Sequence, residues 1–115
     1  MEDGKRVAIA FIAGRIKGSS KKSVFDFSNS KHVSFSGDVS KDEVKIFDYG
    51  RSCHVSGTNG KLYDYGSSSH VKLEAQGDGF KGFDYGSNSH FKVKATGTKV
   101  SIFDFEKSQH FQYKV

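Results

Sequence analysis

The 115-residue chain has no proline, no tryptophan, one methionine and a single cysteine, Cys53. One cysteine excludes an intrachain disulfide framework and points to a reducing compartment. Hydrophobic residues make up 35% of the chain. With so few, aromatics must supply much of the buried surface. No apolar run approaches the roughly 20 residues that a membrane helix needs. Sustained helical periodicity is also absent, and helix formers are scarce. No strand-to-helix Gly-x-Ser-x-Gly elbow and no Gly-rich phosphate loop leading into a helix is present. These absences turn the reading away from the common enzyme motifs and toward strands and turns.

What is abundant is glycine, with 13 residues, and phenylalanine, with 11. They recur in an internal repeat: aromatic-Asp-aromatic, four polar residues, then His followed by Val or Phe. The copies lie at residues 25–33, 47–55, 63–71, 83–91 and 103–111. Their aspartates, Asp26, Asp48, Asp64, Asp84 and Asp104, are separated by 22, 16, 20 and 20 residues. A period near 20 means that one small supersecondary unit is repeated through a single domain, residues 1–115.

Within a unit the composition favours a hairpin. In the fourth copy Lys81–Tyr85 is one strand, Gly86-Ser87-Asn88-Ser89 a tight turn, and His90–Thr96 the return. Asn59-Gly60 is a strong signal for a second kind of hairpin turn. Placing Gly86 and Ser89 about a two-residue turn sets Tyr85 opposite His90 and Asp84 opposite Phe91. Side chains alternate along a strand, so each hairpin then has two faces. One is aliphatic with a single Asp, as in Phe80, Gly82, Asp84, Phe91, Val93 and Ala95. The other carries the aromatic pair, the His and lysines. The expected fold is all-β, an antiparallel meander of about ten strands closed with pseudo-symmetry, barrel-like or propeller-like, which removes sheet edges. A β-solenoid is the alternative.

The segment Val7–Ala13 is an apolar run whose alternating Val7, Ile9, Phe11 and Ala13 predict a strand over residues 6–17, buried on both faces. It resembles the core of a signal peptide, but Glu2 and Asp3 precede it and Gly14-Arg15 interrupts it. A cytoplasmic protein without a membrane segment is the expectation.

Ala10-Phe11-Ile12-Ala13-Gly14-Arg15-Ile16, followed by repeated Phe/Tyr-Asp-Tyr-Gly units, resembles the bacterial four-fold beta flower domain proteins over nearly the whole chain. The resemblance implies an all-β fold with approximate four-fold internal symmetry and implies no reaction. The chain departs from it in having five copies, so the first, Phe25 to Val33, is a candidate closing element against the N-terminal strand or the C-terminus.

The five aspartates read as turn caps onto backbone N–H groups, with a ring of carboxylates around a cation as the alternative. His32, His54, His70, His90 and His110 read as packing residues against neighbouring rings, with metal ligation the alternative. Cys53 precedes His54, but Lys31, Ser69, Ser89 and Gln109 fill the same slot elsewhere, so the unit does not demand a thiol. The candidate binding surface comprises Phe47, Tyr49, Tyr63, Tyr65, Phe83 and Tyr85 with Lys45, Lys72, Lys92 and Lys94. It is either buried between hairpins, an interface for self-association or a protein partner, or a surface for nucleic acid or glycan. The formal net charge of +5 permits the last. The expected function is a non-enzymatic structural or interaction module without a cofactor.

Overall fold

A computed structural model describes residues 1–115. Ten antiparallel strands follow one helix: α1 (Asp3–Ile16), β1 (Ser23–Asp26), β2 (Lys31–Val39), β3 (Glu43–Asp48), β4 (Cys53–Thr58), β5 (Lys61–Asp64), β6 (Ser69–Gln76), β7 (Gly79–Asp84), β8 (Ser89–Thr96), β9 (Lys99–Asp104) and β10 (Gln109–Lys114). Each strand pairs with its sequence neighbours, and β1 closes against β10, giving a ten-stranded barrel. The solenoid alternative is thereby excluded. The closing seam is short, Phe25 opposite Lys114 and Asp26 opposite Tyr113.

The five repeats are the hairpins β1–β2, β3–β4, β5–β6, β7–β8 and β9–β10. Their faces divide as the alternation requires. Asp84, Phe91 and Val93 point inward and are buried, while His90, Lys92 and Lys94 point outward and are exposed. The pairing differs from expectation. Asp84 faces Ser89 and Phe83 faces His90, leaving a four-residue loop, Tyr85–Asn88. The shift is two residues, so every side chain keeps its face. The loop closes through a left-handed residue, Ser30, Ser52, Ser68, Asn88 or Ser108, with φ between 50° and 54°. At the barrel's other end Asn59 and Gly60 both have positive φ, as a type I′ turn demands.

The N-terminal segment is a helix, not the expected strand over residues 6–17. An apolar run that is hydrophobic on all sides has no period to separate strand from helix. The barrel decides. A strand inside it would find no free edge for its N–H and C=O groups, whereas a helix satisfies its own. Ala8, Ala10 and Ala13 favour it intrinsically, and Asp3 and Arg15 match the helix dipole at its two ends. Residues Val7 to Ala13 are at most 2% exposed. They fill an interior too wide for wall side chains alone. Phe11 stacks on Phe35 with ring centroids 4.4 Å apart. At Gly14 an added Cβ would lie 2.8 Å from the Cβ of Val115, so the helix needs hydrogen there to lie against the wall.

Candidate functional site

All five motif aspartates sit at one end of the barrel, each at most 2% exposed. A buried carboxylate must be hydrogen-bonded and paired. Each accepts from the backbone of its own loop: Asp26 from Ser28 N–H, Asp48 from Gly50, Asp64 from Gly66, Asp84 from Gly86 and Asp104 from Glu106, at 2.9 to 3.3 Å. The carboxylates also accept from cations and loop side chains, for Asp84 with Lys5 on the same oxygen as the Gly86 N–H and Ser87 on the other. Arg6 Nη1 reaches Asp104 Oδ2 at 2.8 Å, and the Met1 amino group lies 3.2 Å from the same oxygen. Lys5 Nζ donates to Asp84 Oδ1 at 2.5 Å and to Ser69 Oγ at 2.7 Å. Arg51 bridges two loops, with Nε on Asp48 and Nη1 on Asp64, both 2.8 Å. Asp26 takes the Asn29 side-chain amide at 2.8 Å.

The titration behaviour follows. Burial by itself would raise Asp64 and Asp84. The bonds from Arg51 and Ser67, and from Lys5 and Ser87, outweigh it and hold both carboxyls below their ordinary range. Burial also resists the charge on Arg51, but its two carboxylates prevail and raise its pKa. Burial pushes the Cys53 thiol up, away from the reactive thiolate. No three His, Cys, Asp or Glu side chains stand close enough together to hold a metal ion.

Lys5, Arg6 and Arg51 are not among the recurring residues of the motif. Five carboxylates on an apolar face do call for cations. Arg6 and Lys5, just ahead of the apolar run, and Arg51, inside a turn, supply them together with the Met1 amino group. Arg6 also lies over the Phe111 ring, 3.6 Å from its centroid.

The outer wall carries the other half of each motif. Phe47 packs edge-on against Tyr49 and against His54, with centroids 4.9 Å apart in both cases. Tyr63 with Tyr65 and His70, and Phe83 with Tyr85 and His90, repeat this at 4.7 to 4.8 Å. Phe25 with Phe27 and His32, and Phe103 with Phe105 and His110, complete the set. The inner ring of each trio is half-buried and the His exposed. The outer ring stands clear: Phe27, Tyr49, Tyr65, Tyr85 and Phe105 are 46 to 58% exposed. The candidate surface is therefore not buried between hairpins. Lys45, Lys72, Lys92 and Lys94 are exposed on the same outer wall.

The trios join into a belt because each outer ring's residue pairs back onto the preceding hairpin. The N–H groups of Tyr65, Tyr85 and Phe105 donate to the carbonyls of His54, His70 and His90 at 3.0 to 3.2 Å. The first hairpin breaks the pattern on both sides. Tyr49 N–H meets Ser34 and Phe27 N–H meets Gln112, each two residues beyond the equivalent His. Correspondingly Asp48 faces Phe35 and Asp26 faces Tyr113, whereas Asp64, Asp84 and Asp104 face Val55, Val71 and Phe91, each immediately after a His. Three joints between hairpins thus share one register, and the two joints of the first hairpin each add two residues of stagger in the same sense, about 7 Å along the strands.

No helix is long and apolar enough to cross a membrane. Comparison with known proteins gives no matching family model, no matching curated protein and no matching solved structure.

Proposed function

We propose that the chain is a non-enzymatic interaction module whose outer aromatic belt is the contact surface, toward a second copy of itself or a protein partner. One observation carries this reading. The exposed large hydrophobic side chains of the whole molecule are Phe27, Tyr49, Tyr65, Tyr85 and Phe105, the same position of each repeat. Scattered exposed apolar residues need no explanation, but a repeated set on one level marks an interface. Each ring is held edge-to-face by a neighbour, so little side-chain freedom remains to be lost on contact.

The non-enzymatic part rests on the ionisable groups. The buried aspartates are committed to loop N–H groups, most of them also to cations, and the thiol is held in its unreactive form. A cytoplasmic location belongs to the same reading, supported by the lone thiol. Outward lysines at Lys45, Lys61, Lys81 and Lys92 are the opposite of the apolar band that a lipid-facing barrel carries. The affinity to four-fold beta flower proteins is likewise a proposal, supported by the run of four hairpins in one register.

Light scattering on tag-free protein tests the reading. A multimer at micromolar concentration that Tyr65→Ser with Tyr85→Ser converts to monomer is the expected result. A chain that stays monomeric and captures no partner through the belt overturns it.

A further inference from the structure

Resting on the belt as the contact surface, we propose that its segment from β5 to β10 is a track for single-stranded nucleic acid. Three grooves lie side by side on this wall, of about 340, 700 and 600 Å³. They share their walls. Tyr85 and Lys72 border the first and second, and Phe105 and Lys92 the second and third. The result is a row of three adjoining grooves, divided by two half-exposed aromatic rings. Successive rings are two strands apart, about 10 Å, so one short oligomer reaches both.

The charge of these grooves selects the ligand. Lys61, Lys72, Lys81, Lys92 and Lys94 line them, against Glu74 and Asp78. Glu74 is itself engaged, 2.8 Å from Lys72 Nζ and 3.8 Å from Lys81 Nζ. A ligand for this surface needs repeated negative charge and flat apolar faces within one chain. An acidic peptide lacks the faces, a neutral glycan lacks the charge, and a duplex keeps its base faces stacked inside. An unpaired strand offers phosphates to lysines and bases to Tyr85 and Phe105, the combination that sequence-tolerant single-strand binding uses. The wider stagger at both joints of the first hairpin sets it off from the other four, and the three grooves lie on the side of those four.

Fluorescence anisotropy with a labelled oligothymidylate of about 12 nucleotides, within the usual site size, reads the proposal at low salt. Binding is expected to weaken as salt rises. Lys72→Ala with Lys92→Ala flattens the log–log salt slope by about 1.4, at roughly 0.7 per phosphate contact. Tyr85→Ala and Phe105→Ala each weaken binding roughly ten-fold, with unchanged circular dichroism and melting. Glu74→Gln tightens it, since it removes the acid and frees two lysines. No binding at low salt, indifference to both ring variants, or tighter binding of a duplex or a neutral oligosaccharide overturns the proposal. If oligonucleotide binding fails while Tyr85→Ala still dissolves a multimer, this inference falls and the interaction module stands. A monomer that binds nothing removes both.

Discussion

Lys5 Nζ lies 2.5 Å from Asp84 Oδ1 inside the barrel, both side chains almost wholly buried. This pair ties the central helix to the fourth hairpin across 79 residues of sequence. Removing one partner strands the other's charge in the interior. Lys5→Met is expected to cost about 3–5 kcal/mol in denaturant unfolding. Adding Asp84→Asn to it should recover part of the loss. A double variant whose loss equals the sum of the single losses would deny the coupling.

The same carboxylates set the acid limit of the fold. Asp64 and Asp84 have folded-state pKa values below the ordinary range. Their contribution is therefore fully present above the unfolded value of about 3.9 and is lost as the pH falls through the lowered folded values. Melting temperature should change little on this account from pH 7 down to about pH 5 and fall below about pH 4. Thermal melts across that range check it, and Lys5→Met should shrink the acid-sensitive part.

Gly82 makes room for an aromatic ring. A Cβ there would meet Phe91 Cζ at 2.2 Å and the Lys72 carbonyl oxygen at 2.5 Å. Gly82→Ala is expected to destabilise by about 1–3 kcal/mol through overpacking. Phe91→Leu should relieve only part of this, because the backbone contact remains. Full rescue by the second substitution would show that the ring alone sets the requirement.

The loop closing β9 to β10 holds Ser108 at φ 51°. Left-handed backbone is costly for a residue with a Cβ, and glycine removes the penalty at some entropic expense. Ser108→Gly is expected to stabilise by about 0.5–1 kcal/mol, raising the melting temperature by a few degrees. A lower melting temperature would mean that the serine side chain contributes more than the strain costs.

The belt and the division of faces were legible in the sequence because strand side chains have a period of two and five copies repeat it. Even the misplaced pairing, Asp84 opposite Phe91 instead of Ser89, left those faces intact, since the error was two residues. The long-range pairings of Lys5, Arg6 and Arg51 were not legible. Asp84, Asp104 and Asp64 lie on other elements, and no local spacing records a contact between Lys5 and Asp84. Among the motif aspartates only Asp48 pairs locally, with Arg51 three residues away.

The N-terminal run shows where sequence and tertiary structure part. Its amino acids alone dictate that Val7 to Ala13 be buried. Whether the segment is strand or helix depends on the space that receives it, and a closed barrel offers room along its axis but no backbone edge. The repeat by itself determined hairpins, faces and the level of the aromatic belt. Closure on β10, the helix inside, the extra stagger at the first hairpin's two joints and the exposure of Tyr85 and Phe105 were decided only by tertiary structure. Each depends on how strands far apart in the chain register and curve around a common core.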